Sequence, residues 1–90
     1  MPARWYTIEF SPRAARDFKS LGPETQRRFK PRIDALADNP RPHGVEKLHG
    51  EEGLFRVRAG DYRIVYSIMD DRLVVLLVKI GHRREVYRGR

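Results

Sequence analysis

The feature that most restricts this chain is Leu73–Val78, six apolar residues in succession and the longest such run in the sequence. It falls far short of the roughly 20 residues a membrane-spanning helix needs. Six residues suit a strand instead. Extended to Ile80, the segment is nearly all apolar, the pattern of a central strand covered on both faces. Such a strand needs neighbours on either side and a layer packed against it.

The rest of the sequence supplies them. Trp5–Phe10 alternates as a half-buried strand, with Tyr6, Ile8 and Phe10 on one face. Ser11-Pro12 then predicts a helix N-cap with proline in the first turn. Ala14, Ala15, Phe18 and Leu21 follow at helical spacing, and Gly22 is placed to end that helix. Pro23 opens a second helix whose apolar stripe is Phe29, Ile33, Leu36 and Ala37. Pro31 predicts a kink or early break near Lys30, since it removes a hydrogen bond. Asp38–Pro42 ends the helix, and residues 40–53 read as a loop. Leu54–Arg58 and Tyr62–Ile68 alternate again, around a tight turn at Ala59-Gly60-Asp61. Asp70-Asp71 turns into the central strand, and Glu85–Tyr87 adds a short edge strand. The expected order is β-α-α-β-β-β with a further short strand. That is an α+β domain, with an N-terminal α-hairpin on one face of a mainly antiparallel twisted sheet. Ninety residues leave room for one domain, residues 1–90.

Strand parity then sorts the charges. Side chains at i and i+2 share a face, so Arg56 and Arg58 project together, opposite Phe55 and Val57. Arg63 lies opposite Tyr62, Ile64, Tyr66 and Ile68. If helices cover the Phe55/Ile64 side, all three arginines emerge on the uncovered face. Residues 79–90 add Lys79, His82, Arg83, Arg84, Arg88 and Arg90 against one acid, Glu85. With 19 Lys+Arg against 12 Asp+Glu, the net charge is +7. Polyanions are the partners such a balance selects. The competing explanation is a solvated sheet face whose arginines guard an edge. The absence of cysteine excludes disulfides, thiol nucleophiles and Cys-ligated zinc. His43-x-x-Glu46-x-x-His49 has metal-ligand spacing but reads better as loop polar residues, so no metal or cofactor is expected. No phosphate-binding glycine loop or serine-histidine-acid motif is present. With no signal-peptide apolar segment either, a soluble cytoplasmic domain is expected.

Several segments are more specific. Tyr6-Thr7-Ile8-Glu9-Phe10-Ser11-Pro12, Asn39-Pro40-Arg41-Pro42 and Lys47-Leu48-His49-Gly50 resemble the first half of the RelE/ParE toxin superfamily. Phe55–Tyr66, containing Gly60-Asp61-Tyr62-Arg63, and Ile80–Tyr87, containing Gly81-His82-Arg83 and Tyr87, resemble its second half. The resemblance covers about Trp5 to Tyr87. It implies a toxin of a type II toxin–antitoxin pair, restrained by a cognate antitoxin that usually carries the DNA-binding domain. The groove near the α-hairpin and an open sheet edge are the natural surfaces for that partner. Direct DNA binding by the toxin is not expected. In the RelE branch the toxin cuts messenger RNA in the ribosomal A site, without metal, through the ribose 2′-hydroxyl. In the ParE branch the same fold poisons DNA gyrase.

Carried over by position, the RelE-type site comprises Arg56, Arg58, Arg63, Arg83 and Tyr87. Guanidiniums match phosphate oxygens in bidentate fashion and would stabilise the phosphorane. On this resemblance Tyr87 would act as a base for the 2′-hydroxyl, and Arg83 would stabilise charge near the leaving oxygen. His82 is better matched as an acid by its intrinsic pKa, although neighbouring strand residues face opposite ways. Whether Tyr87 or His82 moves the proton stays open. Lys79, Arg84 and Arg88 are assigned to contacts with RNA or the ribosome. The alternatives to a ribosome-dependent endoribonuclease are a gyrase inhibitor and a non-catalytic RNA- or protein-binding domain.

Overall fold

A computed structural model describes residues 5–48 and 53–82. Its elements are β1 (Thr7–Phe10), α1 (Pro12–Lys19), α2 (Pro23–Asp38), β2 (Glu46–Lys47), β3 (Leu54–Ala59), β4 (Tyr62–Met69) and β5 (Val74–His82). The strands form one mixed sheet in the order β1-β5-β4-β3-β2. β1 lies parallel to β5, and the remaining pairs are antiparallel. The α+β architecture and the central place of the apolar strand are as expected. Ala14, Phe29, Ile33 and Leu36 from the helices pack with Ile64, Tyr66, Val75, Leu77 and Ile80 from the sheet. Both helices therefore cover the same sheet face. The outer face of β5, at Val74, Leu76 and Val78, is half-buried.

Three local expectations are corrected. α1 closes at Ser20, and Gly22 instead caps the start of α2. α2 continues unbroken through Pro31. Pro31 and Arg27, whose carbonyl loses its usual donor, are both exposed, so water can replace the missing bond. The loop assigned to residues 40–53 contains β2, a two-residue strand too short to show a periodicity. The β3–β4 hairpin has a two-residue loop, Gly60-Asp61, between the paired Ala59 and Tyr62. Gly60 has φ 65°, a left-handed first position that glycine adopts without a Cβ penalty. The expected strand at Glu85–Tyr87 lies outside the described residues.

One irregularity sets the parity of β5. Val65 pairs with Lys79 while Tyr66 pairs with Leu77, so Val78 is an extra residue, a β-bulge. α1 satisfies the displaced backbone groups. The Ser11 hydroxyl donates to the Val78 carbonyl at 2.8 Å, and the Ile80 N–H donates to Asp17 Oδ2 at 2.9 Å. Ser11 Oγ also accepts from the Ala14 N–H at 3.0 Å, which caps the helix. The bulge turns Ile80 into the core opposite Ile64 and sends Lys79 to the outer face opposite Val65.

A second anchor fixes the chain leaving α2. The buried Tyr66 hydroxyl donates to the Pro40 carbonyl at 2.7 Å. Asp70 accepts from Tyr6 at 2.7 Å and from both terminal nitrogens of Arg41 at 3.3 and 2.9 Å. The Arg41 guanidinium also lies 5.6 Å from the centre of the Phe55 ring.

Two predictions test these anchors. Ser11→Ala removes a cap and strands a bulge carbonyl, and should lower the unfolding free energy by about 1–2 kcal/mol. Thermal melts should show a fall of about 4–16 °C in midpoint. Burial pushes the Tyr66 phenol up from 10.0 to about 12. The unfolded chain therefore releases this proton first as pH rises, and stability falls across that interval. Denaturant titrations between pH 10 and pH 12 should show the wild type losing roughly 2 kcal/mol more than Tyr66→Phe.

Candidate active site

Cross-strand register brings the arginines together on the face the helices leave uncovered. One row across the sheet reads Lys79, Val65, Arg56, Glu46, and the next reads Gly81, Arg63, Arg58. Arg58 stands directly opposite Arg63 on the neighbouring strand. Arg63 is 6% exposed, whereas Arg58 is open to solvent. The Arg56 side chain is packed down to 18% exposure, and its guanidinium donates to the Glu46 carboxylate. That hydrogen bond and the charge of Arg56 hold the Glu46 carboxyl below the usual carboxylate range, with smaller contributions from Arg63 and Arg58.

These side chains line a cleft of about 320 Å³ with Arg32, His43, Gly44 and Val57. Arg32 enters it from α2, donating to the Arg58 carbonyl at 3.2 Å. His43 and Gly44 come from the segment that the Arg41–Asp70 contact pins to the sheet. Strand parity identified Arg56, Arg58 and Arg63 but gave no sign of Arg32, whose place depends on how α2 crosses the sheet. Of the His43/Glu46/His49 trio, His43 and Glu46 belong to this cleft and His49 lies outside the described residues. Among the described residues no three His, Cys, Asp or Glu side chains cluster as a metal site.

His82 takes a different position. It pairs with Tyr62 and rests edge-on to that ring, with centroids 5.6 Å apart. Tyr62 in turn meets Phe29 of α2 at 5.3 Å, so His82 sits on the helix-covered side. The bulge at Val78 is the cause, since without it the parity of β5 would put His82 beside the arginines. Arg83, Arg84, Tyr87 and Arg88 lie outside the described residues. This arrangement can bind and neutralise a phosphate, because several guanidinium forks open into one cleft. Arginine stays protonated at any working pH, so this set supplies charge rather than proton transfer.

A second surface is apolar. Ile8, Phe10, Phe18 and Ile33 line a groove between β1 and the two helices, bordered by Lys19, Lys30 and Asp34. Phe10 is 39% exposed and meets Phe18 edge-on at 5.8 Å. β1 is also an edge of the sheet. No helix among the described residues is long and apolar enough to cross a membrane.

Known proteins share this architecture and sequence. A family model described as the ParE toxin of the type II toxin–antitoxin system parDE matches residues 8–87. The mRNA interferase toxin RelE of Escherichia coli K12 is 29% identical over 86 residues, covering 91% of this chain and 90% of that protein. RelE in the archaeal RelE–RelB complex of Pyrococcus horikoshii superposes with a TM-score of 0.75 at 31% identity, covering 87% of this chain and 94% of that one. The intact RelBE toxin–antitoxin complex of Escherichia coli gives a TM-score of 0.75 at 26% identity, covering 86% and 95% of the two chains. With its fold, its arginine face and a family match over nearly the whole sequence in agreement, the chain belongs to the ParE toxin family of the RelE/ParE superfamily.

Proposed function

We propose that this protein is the toxin of a type II toxin–antitoxin pair and acts as an endoribonuclease of the RelE type. Its substrate is messenger RNA in the ribosomal A site, and a ribosomal target puts its action in the cytoplasm. The observation that carries this proposal is the set of guanidiniums from β3, β4 and α2 lining one cleft on the uncovered sheet face. The names and assemblies of the RelE relatives support it.

In the reaction, the ribose 2′-oxygen attacks the adjacent phosphorus while the bond to the 5′-oxygen breaks. A cyclic phosphate and a 5′-hydroxyl result. Arg58 and Arg63 hold the non-bridging oxygens, whose charge grows in the phosphorane, and Arg56 extends the same field. Arg83 neutralises the departing oxygen. The 2′-proton goes to Tyr87, and a proton from solvent completes the 5′-hydroxyl; His82, on the helix-covered side of the sheet, drops out as the competing group. Fixed guanidiniums serve the role a metal ion plays in other nucleases, so no cofactor is required. Arginines alone do not bend free RNA into line, and the ribosome supplies that orientation. Lys79, Arg84 and Arg88 contribute RNA or ribosome contacts around the cleft.

The partner that restrains the toxin is a cognate antitoxin, in keeping with the RelB-bound relatives. Its docking surface is the groove at Phe10 and Phe18 with the β1 edge, where an amphipathic segment can bury its apolar side. The ParE family match keeps gyrase inhibition as a second reading. A gyrase poison of this fold has no use for the phosphate-binding arginines, which is where the two readings separate.

Primer extension on a defined messenger RNA, with and without programmed ribosomes, tests the proposal. New 5′ ends within A-site codons should appear only with ribosomes. Arg58→Ala or Arg63→Ala should slow single-turnover cleavage by about a hundredfold or more. Absence of cleavage, together with gyrase inhibition that survives both substitutions, would establish the second reading. Ribosome affinity should fall by about a hundredfold or more between about 50 and about 200 mM salt. Phe10→Asp should weaken antitoxin binding by at least about tenfold in titration calorimetry while leaving cleavage by the free toxin intact.

A further inference from the structure

Among the described residues, Glu46 is the one carboxylate lining the arginine cleft. β2 pairs it in register with Arg56, and the two side chains are hydrogen-bonded across the strands. The pair is asymmetric. The Arg56 side chain is 18% exposed and packed on the sheet, whereas that of Glu46 is 62% exposed on a two-residue edge strand. Gly44, at φ 91°, and His43 precede it in the same cleft. A carboxylate offers two anionic oxygens to a guanidinium fork, as a phosphate does. Glu46 is thus an anion that Arg56 already holds, at the spot where an RNA phosphate would meet it.

We infer that Glu46 sets the affinity of this face for RNA by acting as a built-in competitor, so that a phosphate must displace its carboxylate from Arg56 in order to bind. Exposed ion pairs contribute little to stability and their side chains separate readily. The packed member, Arg56, stays in place while the exposed member, Glu46, swings away. An isolated phosphate gains little from this exchange, because one anion replaces another. A backbone that also engages Arg58 and Arg63 gains contacts that Glu46 does not provide. The device discriminates against stray anions and weakly ordered RNA in favour of a strand held in register. It acts on the same face as the proposed nuclease site and rests on that reading.

The test is the dissociation constant of the full-length protein for a short single-stranded RNA carrying 2′-O-methyl groups, which cannot be cleaved by 2′-attack. Glu46→Gln and Glu46→Ala should each bind roughly twofold to fivefold more tightly than wild type, the scale of losing one exposed charge contact. In an Arg56→Ala background the same substitutions should make no difference. Unchanged or weaker binding by both Glu46 variants would overturn the inference, as would tightening that persists without Arg56. Arg58→Ala serves as the reference for the face itself. If it weakens binding while the Glu46 variants do not tighten it, the inference about Glu46 fails and the nuclease reading stands. If Arg58→Ala leaves binding unchanged, RNA does not use this face and both fail. Thermal midpoints within about 2 °C of wild type would exclude a folding defect, since an exposed edge position contributes little to stability.

Discussion

The bulge at Val78 and its two ties to α1 govern what each face of the sheet carries. A strand's side-chain period is two, so one inserted residue exchanges every later side chain between faces. Before the bulge, Val75 and Leu77 point into the core, and after it Ile80 does. An unbulged β5 would set Lys79 in the core and Ile80 on the open face. Burying an unpaired ammonium costs several kcal/mol, so the sequence is compatible with one parity only. Ser11 and Asp17 complete the arrangement by satisfying the displaced carbonyl and N–H. The first turns of α1 are thereby joined to the strand that organises the cationic face.

That face works against the stability of a small domain. Arg58 and Arg63 are directly opposed across two strands, and like charges in that relation are destabilising. Arg63 is nearly buried as well, which adds desolvation. A sheet under selection for stability alone would place a β-branched residue at either position. Rules of local stability are broken where a site demands it, and the proposed phosphate site would demand positive charge fixed in one orientation. The core beneath compensates through apolar packing that involves none of the arginines. Glu46 relieves part of the repulsion at the edge, so one carboxylate influences both the folded state and the open cleft.

Much of this was legible in the residues, for identifiable reasons. Ser11-Pro12 specified the start of α1 through a hydroxyl and a fixed φ. The alternation of Phe55/Val57 with Arg56/Arg58 assigned the arginines to the uncovered face before any strand was paired. What could not be read lies in features without a period. A two-residue strand has no alternation to detect, so the Glu46–Arg56 pairing was hidden inside a loop. The bulge falls within a stretch apolar on both parities, Val74–Val78, and so left the side taken by His82 undetermined. Gly22 follows one helix and precedes another, and composition alone does not tell a C-terminal stop from an N-cap. Pro31 is tolerated because its turn faces water, a fact of tertiary placement. Arg32 reached the cleft through a crossing angle that no local pattern encodes.

RelE and ParE toxins share a scaffold and differ in target, as expected when function resides in a site grafted onto a fold. On the proposed reading the discriminating element is the outward parity of β3 and β4, which carries Arg56, Arg58 and Arg63. Such a set supplies strong electrostatic stabilisation but no proton donor or acceptor near neutral pH. On the proposed reading such an enzyme is a phosphate clamp that depends on other groups for proton transfer and on a larger assembly for substrate geometry. A clamp that cuts only RNA already held in line is inactive toward most cellular RNA. The scarcity of general acid–base machinery on the described face is thus consistent with a toxin whose selectivity comes from where its substrate is presented.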